Sequence, residues 1–130
     1  MEAKELMTGA WVINTEFGMR KIAQVEIVEP TRVWLRGGNT YVPIEYIVPI
    51  QITEEILERS GFVRYSEEGW HLNSLSTFRL KKATNFDESK VLFWVRISDI
   101  WVQVRYVHEL QRVLRSCKID VGFNLQKGTL

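Results

Sequence analysis

The sequence predicts an α+β protein: an N-terminal SH3-like barrel of five strands, followed by an antiparallel β-meander with one short and one longer helix. Three observations lead to this prediction. Short runs rich in β-branched and aromatic residues alternate with glycine, proline and asparagine turns over most of the chain. Two segments, near residues 54–60 and 106–117, have helical spacing of their apolar residues instead. The composition, 45% hydrophobic and 25% charged over 130 residues, is typical of a protein with one good core or two small ones.

The first fifty residues have the pattern of a small barrel. Turn signals, such as the glycine pair at Gly37 and Gly38, separate short apolar runs. The predicted strands are residues 11–14, 19–28, 31–35, 41–43 and 48–50. Five strands in so short a segment favour an SH3-like architecture by analogy. We therefore assign residues 1–51 to a barrel subdomain and residues 52–130 to an α+β meander subdomain, packed together because their junction has few flexible residues.

A helix that begins after residue 53 has well-marked ends. Thr53 is a favourable N-cap, and the two glutamates that follow it place negative charge where the helix dipole favours it. Gly61 suits the position just beyond the last turn. Ile52 and Leu57 are spaced for a hydrophobic staple. Because the helix is short, its stability must come from packing rather than from helix propensity.

The rest of the chain predicts a meander and a second helix. The predicted strands are residues 62–65, 70–72, 76–82, 91–97 and 100–105, with turns at 67–69 and 73–74 and a polar loop over 83–90. A helix is predicted over residues 106–117, without a conventional N-cap residue before it. We expect its apolar stripe to cover the apolar side of the meander, and this stripe consists of Val107, Leu110, Leu114 and Cys117.

The hairpin over residues 91–105 is the most informative segment, because its two faces differ in chemistry. If Ser98 and Asp99 form a two-residue turn, one face is apolar. Its pairs are Ile97 with Ile100, Val95 with Val102 and Phe93 with Val104. The opposite face has no carboxylate and consists of Leu92, Trp94, Arg96, Trp101, Gln103 and Arg105. In this register Arg96 lies opposite Trp101, a cation–π geometry, and Arg79 and Lys81 of the preceding strand extend the surface.

Two interpretations of this polar face are open. Tryptophans interleaved with arginines form a stacking surface for the bases of single-stranded nucleic acid. Alternatively, the barrel or a second subunit covers them, which makes the face a dry protein–protein or homo-oligomeric interface. Of the two, burial of the tryptophans is favoured, because exposed tryptophan pairs are uncommon in monomers. Either way, the sequence predicts a non-catalytic binding or interaction module.

Charge is distributed unevenly along the chain. Residues 73–130 contain ten basic and five acidic side chains, which gives +5, whereas residues 1–52 and 53–72 carry −1 and −3. This excess of positive charge in the C-terminal half is compatible with an anionic partner such as nucleic acid, although it is mild for a dedicated DNA-binding domain.

A polar stripe on the predicted C-terminal helix is a second candidate site. It consists of His108, Gln111, Arg112 and Arg115. Such a stripe could contact phosphate. Most polar helix faces are simply solvated, however, and this is the interpretation that we favour.

Residue types suited to catalysis or metal binding are few. Cys117 is the single cysteine, and its place on the apolar helix stripe makes its thiol a poor nucleophile. His71 and His108 are the two histidines, and His108 and Cys117 face opposite sides of their helix, so a zinc site lacks ligands. We expect no enzyme activity, no metal and no cofactor.

The chain has no N-terminal apolar run of signal-peptide length, and no segment approaches the roughly 20 apolar residues that a membrane helix requires. A lone cysteine is compatible with a reducing compartment. The sequence therefore predicts a cytoplasmic protein without membrane association.

Several motifs together resemble one family. Residues 49–62 read PIQITEEILERSGF, residues 106–113 read YVHELQRV, and Leu6, Gly9 and Val12 precede both. In this order and over almost the whole chain they are similar to small uncharacterised proteins from gut anaerobic bacteria and their phages. The chain differs from that family's pattern at Ala10, Glu109 and Arg112. The resemblance implies a shared fold and a prophage or mobile-element origin, but no particular activity.

Overall fold

Two five-stranded antiparallel sheets and two α-helices make up the described part of the chain. The computed structural model describes residues 1–67, 69–72, 75–83, 92–97, 99–119, 121–123 and 125, with only the backbone for 75–77. The strands are β1 (Trp11–Asn14), β2 (Lys21–Val28), β3 (Arg32–Leu35), β4 (Tyr41–Pro43), β5 (Ile47–Pro49), β6 (Phe62–Ser66), β7 (Gly69–Leu72), β8 (Leu75–Ala83), β9 (Leu92–Ile97) and β10 (Ile100–Val104). The helices are α1 (Glu54–Arg59) and α2 (Val107–Ser116). The predicted α+β class is confirmed.

The first sheet has the strand order β4-β3-β2-β1-β5. Its longest strand, β2, has two neighbours, because its first half pairs with β1 and its second half, from Val25 onward, pairs with β3. The β2–β3 pairing contains a register shift between Val25 and Ile27. A 3₁₀ turn (Ile44–Tyr46) precedes β5, which returns to pair with β1. The two edge strands, β4 and β5, do not pair with each other within the described residues, so no closed barrel is found there.

The second sheet is a simple meander with the order β10-β9-β8-β7-β6. β9 and β10 pair in the predicted register without a shift, and β8 and β9 also pair in unbroken register. Strict alternation therefore places one side of β8 and β9 in the core, where the buried side chains include Phe78, Leu80, Phe93 and Val95. On β10 the predicted apolar side is buried only at Val104, and Ile100 is 65% exposed. Ser98, the predicted turn at 73–74, the loop at 84–90 and residues 126–130 lie outside the described residues.

Helix α1 begins and ends as its sequence predicts. Thr53 Oγ1 accepts a hydrogen bond from the Ile56 N–H at 3.1 Å, which satisfies one of the free donors of the first turn. Gly61 follows the helix with φ of 96°, a left-handed conformation that other residues adopt at a cost. Ile52 and Leu57, the predicted staple pair, are both buried.

Helix α2 begins with the help of a side chain from its own first turn. The Glu109 carboxylate accepts hydrogen bonds from the N–H groups of Arg105 and Tyr106, each at 2.9 Å. This replaces the conventional N-cap that the sequence lacks. The apolar stripe of α2 is buried at Val107, Leu110 and Leu114, and these residues share one core with the second sheet.

The two sheets are joined by backbone pairing at the predicted junction. Ile52 N–H donates to the Arg105 carbonyl at 3.0 Å, and Val107 N–H donates to the Ile50 carbonyl at 2.9 Å. Ile50 and Ile13 are buried in the core of the second sheet, so residues of the first subdomain contribute directly to it. Among the described residues, no helix is long and apolar enough to cross a membrane.

Removing the N-cap of α1 should weaken the fold without changing it. We expect Thr53→Ala to lower the free energy of unfolding by about 1 kcal/mol, because the Ile56 N–H loses its acceptor. Urea unfolding followed by circular dichroism measures this change. Thr53→Ser keeps the hydroxyl and should retain most of the stability, so equal losses in the two variants would contradict the capping role.

Candidate functional site

Six exposed side chains on one side of β8, β9 and β10 form a regular grid, which we call the outer face. Its residues are Arg79, Lys81, Trp94, Arg96, Trp101 and Gln103. Strand pairing arranges them in two rows. The first row is Arg79, Arg96 and Trp101, and the second row is Lys81, Trp94 and Gln103. Because opposite residues on paired strands lie only about 5 Å apart, one extended ligand could contact all six.

The two tryptophans of the outer face are exposed, at 37% for Trp94 and 47% for Trp101. The expectation that the barrel covers them is therefore wrong for this chain. The physical reason is the alternation of the strand, because Phe93 and Val95 on either side of Trp94 already fill the core. Both indoles are available to a ligand or partner.

The outer face is electropositive. None of the five strands of the second sheet contains an aspartate or a glutamate. Arg79 lies directly opposite Arg96 on the neighbouring strand, and like charges in this position are unfavourable on their own. Arg96 Cζ lies 5.9 Å from the centre of the Trp101 ring, which confirms the predicted cation–π contact. The Arg79 guanidinium instead lies over the Tyr65 ring, on the other side from Trp101, so the two cations spread the positive charge across the sheet.

Arg105 does not extend the outer face as predicted. It follows the last residue of β10 and is only partly exposed, and its Nε is buried without a hydrogen-bond partner among the described residues. Its guanidinium lies 5.9 Å from the Tyr106 ring, and its carbonyl accepts the Ile52 N–H. The backbone pairing at the junction of the two sheets therefore places Arg105 there rather than on the open sheet surface.

The outer face continues onto β7 and β6 through residues that the sequence reasoning did not single out. His71 pairs with Arg79. Tyr65 is 45% exposed, and the centre of its ring lies 5.7 Å from that of His71 and 5.2 Å from the Arg79 guanidinium. Alternation of side chains along β6 could have indicated from the sequence that Tyr65 lies on this face. The alignment of β6 with β7 could not be predicted, however, because the pairing contains a register shift between Arg64 and Ser66.

The polar stripe of α2 binds the N-terminal segment of the chain. Gln111 uses both ends of its amide, since Oε1 accepts the Trp11 N–H at 2.9 Å and Nε2 donates to the Gly9 carbonyl at 3.0 Å. Arg115 donates to the Thr8 carbonyl at 2.9 Å, and Arg112 donates to the carbonyl of Glu5. The favoured expectation of a merely solvated face does not hold for Gln111, whose contacts hold two distant parts of the chain together.

His108, the fourth residue of the predicted stripe, is buried with 4% of its surface exposed. Its ring stacks on Tyr106 with the ring centres 5.8 Å apart, and its Nδ1 has no hydrogen-bond partner among the described residues. Burial lowers the pKa of His108, with Arg112 and the amino terminus acting in the same direction and the carboxylates of Glu109 and Glu5 opposing it. His108 is therefore a packing residue rather than a contact for phosphate.

A small polar cluster on the first sheet is satisfied within the chain. The Tyr41 hydroxyl hydrogen-bonds to the Glu29 carboxylate, which raises the pKa of Tyr41 and lowers the pKa of Glu29. The Arg32 guanidinium lies 3.9 Å from the Tyr41 ring and forms an ion pair with Glu29 at 2.9 Å. The edge of the Trp34 ring packs against Tyr41. The polar groups of this cluster bind one another, so the outer face is the better candidate for a ligand-binding site.

Potential metal ligands do not converge in the part of the chain that the structure describes. No group of three or more histidine, cysteine, aspartate or glutamate side chains is close enough to hold an ion there. Cys117 caps the end of α2 and is partly buried. The outer face thus offers stacking and charge rather than ligands for a metal.

Stability should fall in acid because of His108. A buried group whose pKa is lowered binds fewer protons in the folded than in the unfolded chain, so its contribution is complete above about pH 6.5 and is lost as the pH falls further. We expect the free energy of unfolding to decrease as the pH falls below about 6.5, the ordinary pKa of histidine, and His108→Gln to flatten this dependence. Denaturant unfolding at several pH values measures both. An identical pH dependence in the two proteins would contradict the assignment.

Comparisons with protein families, curated proteins and solved structures gave no match to this chain. The resemblance to small proteins of gut anaerobic bacteria and their phages therefore stays a prediction. What the chain does must be inferred from the geometry and charge of its own surfaces.

Proposed function

We propose that this protein is a non-catalytic module that binds single-stranded nucleic acid through the outer face. The observation that carries the proposal is the juxtaposition of two exposed indoles, Trp94 and Trp101, with three cations on a sheet surface whose strands contain no carboxylate. Bases of every type stack on aromatic rings, and arginine and lysine bind the phosphates between them. Such binding tolerates many sequences and weakens as salt concentration rises.

Charge favours nucleic acid over self-association through the same face. A two-fold symmetric interface places the same patch on both subunits, so it would bring the arginines and lysine of the outer face against those of a second copy. The five strands supply no carboxylate to neutralise them. Desolvating several cations against one another is costly, whereas a phosphate backbone provides a counter-charge at each nucleotide.

We also propose that the first sheet curls into an SH3-like barrel. The order β4-β3-β2-β1-β5, the long β2 shared by two neighbours and the 3₁₀ turn before β5 support this architecture. Val42 of β4 and Ile47 of β5 belong to one buried cluster. Nuclear Overhauser effects between side-chain protons of β4 and β5, measured by NMR in solution, would support the barrel. Their absence would contradict it.

Removing either indole of the outer face should weaken binding of labelled single strands. We expect Trp94→Ala and Trp101→Ala each to raise the dissociation constant by about 5- to 150-fold, since stacking is worth about 1–3 kcal/mol per base. Fluorescence anisotropy with single-stranded DNA and RNA at low salt measures the change. Phe17→Ala is a matched control, because Phe17 is 86% exposed but lies in the first sheet's turn region.

The cations should determine how binding responds to salt. Arg79→Ala should reduce the slope of log K against log salt, because one phosphate contact fewer releases fewer counterions. Arg20→Ala removes an exposed arginine that lies just before β2, and it should leave the slope unchanged. Absence of salt-dependent binding, or full binding in Trp94→Ala and Trp101→Ala, would refute the proposal.

A further inference from the structure

We infer that Tyr65 is a third base-stacking position, so that the ligand is an oligonucleotide of at least about four nucleotides that crosses the sheet from β10 to β6. This inference rests on the proposed function and adds the length and direction of the ligand. In this inference Tyr65 stacks on a base, and Gly69 and His71 position the Tyr65 ring.

The ring of Tyr65 is held in place before any ligand arrives. It lies where a side chain at position 69 would otherwise be, because a Cβ added to Gly69 would come within 2.5 Å of Tyr65 Cζ and 2.8 Å of Ser66 Oγ. His71 and Arg79 contact the same ring. Despite these contacts 45% of Tyr65 is exposed, so the ring is both fixed and accessible. A ring fixed in this way loses little freedom when a base stacks on it.

Cations occupy the strands between the aromatic ends. Strand pairing places Arg79 and Arg96 in one row that begins with His71 on β7 and ends with Trp101 on β10. Bases stacked on Tyr65 at one end and on Trp101 at the other would therefore leave their phosphates beside the two guanidinium groups. The row therefore places two cations between aromatic rings at its two ends, so that phosphates in the middle of a single strand meet cations while bases near its ends meet rings.

The width of the sheet sets the length of the ligand. Five strands are separated by four spacings of about 4.8 Å, so β6 and β10 lie about 19 Å apart. A dinucleotide can bind at the tryptophans but is too short to reach Tyr65 as well. Binding should therefore become sensitive to Tyr65 only when the oligonucleotide is long enough to cross the sheet.

The test combines ligand length with substitution of Tyr65 in the full chain. Dinucleotides and octanucleotides of thymidine and of uridine are titrated against the wild type, Tyr65→Ala and Trp101→Ala. We expect Tyr65→Ala to raise the dissociation constant of the octanucleotide at least about fivefold and to leave the dinucleotide unchanged. Trp101→Ala should weaken both lengths. The DNA and RNA arms show which sugar the surface accepts.

Two controls separate stacking from other effects. Tyr65→Phe keeps the ring and should bind the octanucleotide like the wild type. Tyr46→Ala removes an exposed tyrosine of the 3₁₀ turn in the first sheet and should also have no effect. Gly69→Ala tests the same position by another route, because its Cβ must displace the Tyr65 ring. Thermal melting confirms that each variant is folded.

The possible results distinguish this inference from the proposed function. If Trp101→Ala weakens octanucleotide binding but Tyr65→Ala and Gly69→Ala do not, the ligand does not reach β6 and the inference is overturned, while the proposed function stands. An equal loss for dinucleotide and octanucleotide in Tyr65→Ala would also overturn the crossing path. If no oligonucleotide binds the wild type at low salt, both the inference and the proposed function fail.

Discussion

The unbroken register of β8, β9 and β10 is the constraint on which the rest of this structure depends. Side chains alternate between the two sides of a strand, so a shift by one residue would exchange the core set for the exposed set. As built, Phe93 and Val95 lie in the core with Phe78 and Leu80, while the outer face remains in solvent. The core and the candidate binding surface are thus two consequences of one pairing.

Helix α2 connects the two halves of the molecule by using different sides of its surface. Its apolar stripe is buried with the second sheet, and the amide of Gln111 binds backbone groups of Gly9 and Trp11 near the start of the chain. Pairing of residues 50–52 with residues 105–107 adds a second connection. Contacts between distant parts of the chain therefore stabilise the scaffold behind the outer face. A rigid scaffold suits a binding surface whose aromatic rings must stay at fixed spacing.

Local chemistry made much of the second sheet predictable. The hairpin register, the capping of α1 by Thr53 and the placement of Arg96 opposite Trp101 all follow from near neighbours in the sequence, and each is found in the structure. Prediction failed where a distant segment decides the environment. Arg105 was assigned to the open face, but pairing with Ile52 places it at the junction, and the polar stripe of α2 contacts a segment about a hundred residues away.

The sequence by itself determined which residues alternate, which turns they flank and which strands lack carboxylates, because these properties depend on neighbours within a few positions. Only the tertiary structure decided that Trp94 and Trp101 stay exposed, that His108 is buried and that Tyr65 lies over Gly69 beside Arg79. Burial depends on which elements pack together, and a bulge in β6 changes which residues meet across strands. Neither is encoded in a local pattern, so both become visible only when the whole chain has folded.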